Sequence, residues 1–355
     1  MPYGKESGQL SPLRPLIDGM QGHNFALPDC LKFFLECMGE EESLDFWDIA
    51  ALTGDTVAQV YDRFPSDRRE YCVSGYLAGR SYMAYVFDVL GYGLEYAESR
   101  DIAADPARYR EKVAAFIDRG IPVLAVTNLR AVPGWESDVG THALVVGYAD
   151  SGRILKLLVR DTVVIDYVMP EEPPLELAFI GEKQRQVSLA ALYRAAILRM
   201  PYWLTLPERE GKCFGPAAYR AWADDIEAGR FEDESLPLWE NYGVYVCNLA
   251  TSGGLPVYLF RKLAQEDPAL AELSRLGEEI GKLLPTETPA GGRSLLWIRL
   301  EELGGGMDMQ QVRLTMGDRK KRAAVAATLR EYAGRLDRVL ELLQEGLCCL
   351  AGESE

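Results

Sequence analysis

The stretch Thr141-His142-Ala143-Leu144-Val145-Val146-Gly147-Tyr148 sets a single histidine at the entrance of a strongly apolar run. An uninterrupted run of this kind, preceded by Gly140, predicts a buried strand. Only two histidines occur among the 355 residues. A side chain that titrates near neutral pH at the end of such a strand indicates a functional site, or else a core histidine bonded to a backbone carbonyl. Both interpretations stay open on this segment alone.

Further β-rich runs, separated by turn signals, surround this strand. Together with it they cover 121–127, 142–149, 154–160 and 163–168, and one more strand is predicted from Leu175 to Ile180. Asp150-Ser151-Gly152 predicts a hairpin turn between the second and third runs. Before the strands, an amphipathic helix is predicted between Asp105-Pro106 and Gly120. A mixed α/β domain over residues 1–185 follows from this layout.

The sequence before these strands has an irregular and then a helical pattern. Residues 1 to about 28 contain four prolines and indicate an irregular lead-in. A helix is predicted to begin at Asp29-Cys30, with apolar residues at three-and-four spacing, and to end at Gly39. Residues 43–100 indicate mostly helices joined by short loops.

The second half of the chain has a helical pattern from about residue 187, which predicts an all-helical domain over 186–355. A Gly/Pro-rich stretch interrupts it at 285–306, and a long last helix is predicted from about 318 to 347. Apolar residues alternate at four-three spacing along that last helix, at Val325, Leu329, Tyr332, Leu336, Val339 and Leu343. This stripe favours packing within its own domain and leaves a homodimer through the helix open.

Composition excludes several classes of function. A net charge of -16 argues against binding nucleic acid, whose affinity rests on basic patches, and mildly favours a cationic substrate. No apolar stretch approaches the ~20 residues that span a bilayer, and residues 1–7 lack the apolar segment of a signal peptide. We therefore expect a cytoplasmic protein that does not bind membranes. The seven cysteines form no CxxC pair, so no metal site is predicted. The glycine clusters match no phosphate or dinucleotide loop, so no cofactor is expected.

Asp29-Cys30 has the features of an activated thiol. A thiolate is stabilised at a helix N-terminus and by a nearby imidazolium, and Asp29 is a residue type that caps helices. The alternative is that Cys30 is a small buried apolar residue near a helix start.

Asp161 follows a predicted strand and stands 19 residues after His142. From an adjacent strand its carboxylate could accept a hydrogen bond from the Nδ1–H of His142 and so fix the imidazole tautomer. The alternatives are a turn-forming aspartate before Thr162, or a partner for Arg160.

Several residues near these three carry supporting chemistry. Asn24 lies six residues before Cys30, and its amide, together with the Cys30 backbone N–H, could stabilise an oxyanion; Gln21 ranks second for this role. For either amide alone, capping a loop is the competing interpretation. His23 is taken as a residue that lines a pocket or belongs to a plain loop, and a role as the base is its least favoured alternative. The polar loop 128–140, which contains Trp135, stands directly before the histidine, where a substrate-facing flap would be.

These motifs resemble the papain-like cysteine peptidase clan. The resemblance rests on an amide six positions before Asp29-Cys30, the run from Gly120 to Val126, the 141–148 stretch and Arg160-Asp161, and it covers roughly residues 20–185. Within the clan the bacteriocin-processing peptidases are the nearest group. The branch typified by the N-terminal domain of butirosin biosynthesis protein H is more similar still, because it also carries a helical C-terminal region.

The resemblance implies an α+β papain-like fold, with N-terminal helices and an antiparallel sheet. It assigns Cys30 as nucleophile, His142 as base, Asp161 as orienting acid and Asn24 as oxyanion amide. The clan usually has glutamine where Asn24 stands, glycine where Leu31 follows the cysteine, and Asp-Pro where this chain has Asp161-Thr162. Those departures bear on peptidase activity more than on the fold.

The function expected from these features is acyl transfer through a Cys30 thioester in bacterial secondary metabolism. Members of the resembling branch include an acyltransferase that moves an acyl group from a carrier-protein thioester to an aminoglycoside amine. The acceptor here would be a small-molecule amine or peptide, or water in an amide hydrolase, and an acyl carrier protein is a candidate donor. The alternative is a catalytically inactive, peptidase-like protein that binds a ligand or peptide.

Overall fold

The computed structural model describes residues 5–16, 25–40, 44–64, 73–77, 79–128, 140–169, 176–250, 255–288 and 291–348. Two compact units make up the chain. We call the first the sheet unit; it comprises Met1–Thr53, Asp67–Glu70 and Ser74–Ser188. The second, the helical unit, comprises Gly54–Ser66, Tyr71–Val73 and Leu189–Glu355.

The helices and strands follow one another in the order β1 (Gly8–Gln9), α1 (Ala26–Cys37), α2 (Phe46–Leu52), β2 (Val60–Asp62), α3 (Val73–Leu77), α4 (Arg80–Leu90), β3 (Tyr92–Ala97), α5 (Ser99–Ala104), α6 (Pro106–Asp118), β4 (Val123–Asn128), β5 (Gly140–Ala149), β6 (Ile154–Arg160), β7 (Val163–Val168), β8 (Glu176–Lys183), α7 (Leu189–Leu204), β9 (Lys212–Phe214), α8 (Gly215–Glu227), α9 (Tyr258–Glu266), α10 (Ala271–Leu283), β10 (Thr286–Thr288), β11 (Gly291–Ser294), α11 (Leu295–Glu302), α12 (Met309–Gly317) and α13 (Arg319–Gly346). Two π-helical segments, Trp239–Gly243 and Val246–Ala250, lie between α8 and α9.

The sheet unit contains an antiparallel sheet of seven strands. Six of them run in the order β3-β8-β4-β5-β6-β7, and β1 pairs with β5 beside this path. The histidine-bearing β5 is central, since it pairs with β4 along one edge and with β6 along the other. Strands β4 to β8 confirm the five sequence-predicted strands. The apolar β5 is buried on both faces, whereas β7 exposes Val163 and Asp166.

Helix α6 covers one face of this sheet. Phe179 of β8 packs against the rings of Tyr109 and Phe116, with centroids 6.2 and 5.3 Å away. Glu95 of β3 stands opposite Phe179 in the register and forms an ion pair with Lys112. Directly opposed residues share a face, so Glu95 and Phe179 both lie on the face that α6 covers.

Helix α1 covers the opposite face. Side chains alternate along a strand, so Tyr92 and Tyr96 point away from the face that carries Glu95. Phe34 of α1 meets the Tyr92 ring edge to face, with centroids 5.1 Å apart, and also contacts Phe87 of α4. The same helix packs against β5.

The helical unit is built around the 28-residue α13. Its apolar stripe is buried from Val325 to Leu343, and α13 packs against α7, α8, α10, α11 and α12. The four-three pattern therefore needs no second copy of the chain to explain it. Among the described helices of both units, none is long and apolar enough to cross a bilayer.

Some sequence-based predictions were wrong in detail. The region after residue 186 is not all-helical, because β9 pairs with β2 and β10 pairs with β11. Residues 43–100 contain β3, since Gly91 at φ 82° ends α4 and the following residues pair with β8. The Gly/Pro-rich stretch contains α11, which Ser294 caps by accepting from the Trp297 N–H.

Candidate functional site

Helix α1 begins one turn earlier than the sequence predicts. Its first residue is Ala26, its N-cap is Phe25 without a side-chain cap, and Cys30 is the fifth residue. Pro28 fits the first turn because those N–H groups need no helical partner, and Leu27 is buried. The prediction that Asp29 caps the helix is therefore wrong. The Cys30 N–H lies inside the helical ladder, so it is poorly placed to stabilise an oxyanion.

Cys30 itself is buried, with 1% of its surface exposed, and is not part of a disulfide. The Cα–Cβ bonds of a helix tilt toward its N-terminus, so the sulfur lies over the first turn. The helix dipole is positive at that end and favours a negatively charged sulfur.

Asp29, directly before Cys30, is fully buried and is held by Arg14. The Nη1 atom of Arg14 lies 3.2 Å from Oδ1 of Asp29, and Nη2 donates to the Asp29 carbonyl oxygen at 2.8 Å. The Arg14 guanidinium also lies against Glu36, with Nε 2.6 Å from Oε2. The carboxylate predicted to cap the helix thus forms an ion pair with a residue of the lead-in.

His142 lies on β5 and is 1% exposed. Across four adjacent strands, Tyr96 stands opposite Ala178, Ala178 opposite Leu124, and Leu124 opposite Leu144. All four therefore share the face that α1 covers, and His142, two residues before Leu144 on the same regular stretch of β5, shares it too.

Cys30 and His142 are thus brought to the same side of the sheet. The helix that carries the thiol packs against the strand that carries the imidazole, and the imidazole is on the helix-facing side. Both side chains are buried. A thiol and an imidazole are the residue types that a cysteine–histidine pair uses.

Asp161 lies in the turn between β6 and β7, on the rim of the sheet. Its backbone is left-handed at φ 47°, and 56% of its side chain is exposed, with Oδ2 3.4 Å from Nε of Arg160. Its carbonyl oxygen accepts from the Leu16 N–H at 2.8 Å. Both alternatives considered for Asp161, a turn residue and a partner of Arg160, are observed. Its role in orienting His142 stays a prediction.

Four predicted residues lie outside the described part of the chain. They are the oxyanion candidates Asn24 and Gln21, and the pocket candidates His23 and Trp135. Of the predicted flap 128–140, only the two end residues are described.

Tyr96 and Glu176, a pair that the sequence analysis missed, lie on the same sheet face as His142. Glu176 stands opposite Val126, which stands opposite His142, so the carboxylate shares a row with the histidine about 10 Å away across two strand spacings. The Tyr96 hydroxyl donates to Glu176. Burial raises the pKa of the Tyr96 phenol, and Glu176 raises it further. The signal available in the sequence was a carboxylate at the start of an apolar run, the position His142 occupies in its own strand.

Three other cysteines have thiols that resist ionisation. Partial burial of its sulfur, helped by Glu36, raises the pKa of Cys37 to about 11, although the residue as a whole is exposed. Burial also raises the pKa of Cys213 and of Cys247. These thiols are therefore suitable internal references for Cys30.

Comparisons with known proteins identify no family. No protein-family model matches the chain, and no curated protein matches it. Within the described residues, no group of three or more His, Cys, Asp or Glu side chains is arranged to hold a metal ion. The papain-like assignment is therefore a proposal, supported by the motif residues and by the arrangement of α1 and β5.

Proposed function

We propose that the sheet unit is a papain-like domain that transfers acyl groups through a thioester on Cys30. One observation carries the proposal: α1, which bears Cys30, packs on β5, whose His142 faces that helix. Nucleophilic cysteine catalysis pairs a thiol with a nearby imidazole as base, and these two packed elements carry one of each.

In the proposed reaction, His142 takes the proton of the Cys30 thiol, and the thiolate attacks the carbonyl carbon of the acyl donor. The tetrahedral intermediate then collapses, and the leaving group departs with the proton that His142 returns. An amine or water attacks the resulting thioester and gives up a proton to His142. The Cys30 sulfur leaves as thiolate, and the product is an amide or a carboxylic acid.

The supporting roles follow the resemblance. Asn24, with Gln21 as its substitute, would donate to the oxyanion, and Asp161 would orient His142. A small-molecule amine or a peptide would be the acceptor, and an acyl carrier protein is a candidate donor. We propose that the protein acts in the cytoplasm of a bacterium, in secondary metabolism.

A second candidate function is supported by burial. Both Cys30 and His142 are 1% exposed, which limits the access of a bulky substrate. A peptidase-like protein that binds a ligand or peptide without chemistry would have the same fold. The two functions differ in whether the Cys30 thiol is activated.

The test is the alkylation rate of each cysteine by iodoacetamide, measured against pH by peptide mass mapping. If the proposal holds, Cys30 is labelled faster than Cys37, Cys213 and Cys247, with a midpoint below about pH 7. His142→Ala then slows Cys30 labelling at pH 6 by roughly 100-fold, in the range of a general base. His23→Ala is the comparison variant, because it removes the only other histidine and should slow Cys30 labelling much less than His142→Ala does.

Slow labelling of Cys30 with the midpoint of an ordinary thiol, about pH 8.5, in both the native protein and His142→Ala would overturn the enzymatic proposal. That result would favour the binding protein. Equal effects of the two histidine substitutions would also count against His142 as the base.

A further inference from the structure

Residues 8–16, which we call the strap, cross the parts of the sheet unit that carry the candidate site. At one end, Gly8 and Gln9 pair with β5, and the Leu10 N–H donates to the Val146 carbonyl oxygen at 2.8 Å. At the other end, Leu16 bridges to Asp161. The strap therefore links the strand of His142 to the turn of Asp161.

Arg14 connects the strap to the helix of Cys30. Besides its two contacts with Asp29, its guanidinium lies 5.4 Å from the ring centroid of Phe33 and near Glu36. One side chain thus contacts three residues of α1. Binding both the carboxylate and the carbonyl oxygen of Asp29 uses the fork geometry of a guanidinium, which lysine cannot reproduce.

Charge gives this contact a consequence for the thiol. Asp29 is the chain neighbour of Cys30, and its carboxylate is fully buried. A buried negative charge next to a thiol opposes formation of the thiolate, and a cation on that carboxylate offsets the effect. The same helix provides a parallel, since Arg14 lowers the pKa of Cys37 against the larger effects of burial and Glu36.

Other ionisable groups lie on α1 and on the elements packed against it. Helix α1 adds Lys32, which forms an ion pair with Glu36, and β3 adds Tyr92, whose ring meets Phe34. Helix α2 contributes Asp45 and Asp48, whose carboxylates each accept a backbone N–H of the α2 capping box. Strand β5 contributes His142. The strap contributes Arg14, a cation in contact with Asp29.

We propose that Arg14 is a positioning residue of the Cys30 site: it neutralises the buried Asp29 and fixes the first turns of α1 to the strap that also binds β5. The inference rests on the proposed function, because it assumes that the Cys30 thiolate is used. It assigns a role to a residue from the irregular lead-in, outside the motif positions.

The experiment compares the pH profile of Cys30 alkylation in the full-length native protein with Arg14→Ala, Arg14→Lys and the double variant Arg14→Ala/Asp29→Asn. Arg14→Ala should move the midpoint upward by about one pH unit, which slows labelling below the midpoint about tenfold. Arg14→Lys should give an intermediate shift. The double variant removes both charges and should recover most of the shift. Lys5→Ala, which removes an exposed ion pair with Asp118, is the matched control and should change nothing.

Each outcome decides the matter. An unchanged midpoint in Arg14→Ala, with a low midpoint and His142 dependence in the native protein, overturns the role of Arg14 alone. A shift that the double variant fails to recover also overturns it, since a purely structural loss would not respond to Asp29→Asn. If Arg14→Ala does not fold, Arg14→Lys decides by the same criterion. A native protein with an ordinary Cys30 midpoint overturns both this inference and the proposed function.

Discussion

The two faces of the seven-stranded sheet are built differently. The face under α6 packs aromatic rings around Phe179 and keeps its charges at the margin, where Glu95 meets Lys112. The face under α1 buries groups that can ionise or hydrogen-bond, among them His142 and Tyr96, whose hydroxyl donates to the half-buried Glu176. Apolar packing alone accounts for the first face. It does not account for the second.

The difference has an energetic meaning. Glu95 is 47% exposed, and ion pairs of such exposure contribute at most about 1 kcal/mol. Asp29 is fully buried, and a buried carboxylate that loses its partner costs about 3–5 kcal/mol. Buried ionisable groups with a specific charge partner mark a candidate functional site. The α1 face is therefore where chemistry is to be sought.

The largest expected effect tests whether the two faces contribute equally to the free energy of unfolding although they differ in function. Phe34 on the α1 side and Phe179 on the α6 side are both buried. Replacing either with alanine should lower the free energy of unfolding by about 3–5 kcal/mol, because each leaves a cavity. Urea unfolding followed by circular dichroism measures this loss.

The milder variants Phe34→Leu and Phe179→Leu separate packing from function. Phe34→Leu should change the Cys30 alkylation profile, because Phe34 is on the helix that carries the thiol. Phe179→Leu should leave that profile unchanged at a comparable loss of stability. Equal changes in both would remove the distinction between the faces.

An intermediate effect concerns polar groups. Tyr96→Phe removes the hydroxyl that donates to Glu176, and leaving that carboxylate without its donor should cost about 1–3 kcal/mol. Lys112→Met on the other face should cost less than about 1 kcal/mol, since its partner Glu95 is half exposed. Unfolding curves in urea for the two variants provide the comparison, and a larger loss in Lys112→Met would contradict it.

The smallest expected effect is a loss of folding stability at alkaline pH. Burial and neighbouring carboxylates raise the pKa of Tyr92 and Tyr96, so folding strengthens proton binding by both phenols. That stability is fully present below the unfolded pKa, about 10, and is lost as pH rises toward the raised folded pKa, at no more than about 1.4 kcal/mol per pH unit for each phenol.

Urea midpoints measured at about pH 8 and about pH 11 test this dependence, because these conditions lie about two pH units below and one above the ordinary tyrosine pKa of about 10. Buried tyrosines of the helical unit, such as Tyr61 and Tyr242, also have raised pKa values. The relevant quantity is therefore the difference between the native protein and Tyr92→Phe/Tyr96→Phe, which should lose less stability at high pH. An identical loss in both would show that the α1 face does not contribute.

Sequence alone predicted what depends on local pattern. Strands β4 to β8 follow from short β-rich runs bounded by turn signals, and α13 follows from its four-three stripe. The start of α1 was missed because Pro28 suggested a break, although proline fits a first helical turn. Strand β3 was missed because its partner β8 is distant in the chain: Tyr96 and Ala178, which pair, are 82 residues apart.

The candidate site divides in the same way. Cys30 and His142 were found because their residue types are chemically distinctive in their local context. Arg14 and Glu176 could not be found, because the significance of each depends on a distant contact: Arg14 on where the strap crosses α1, and Glu176 on a register across three strands. Residue type indicates which side chains could carry chemistry, whereas the residues that surround them depend on the topology of the fold.

The strap also has a consequence for the order of folding. Its strand β1 leaves the ribosome early but pairs with Gly147 and Tyr148, which are synthesised about 140 residues later. The Arg14–Asp29 contact spans only 15 residues and can form as soon as α1 does, since short loops close at little entropic cost. The N-terminal segment can therefore bind α1 before β5 exists and complete the sheet afterward. Contacts of such long range slow folding, so the pairing of β1 with β5 is expected among the last steps to native structure.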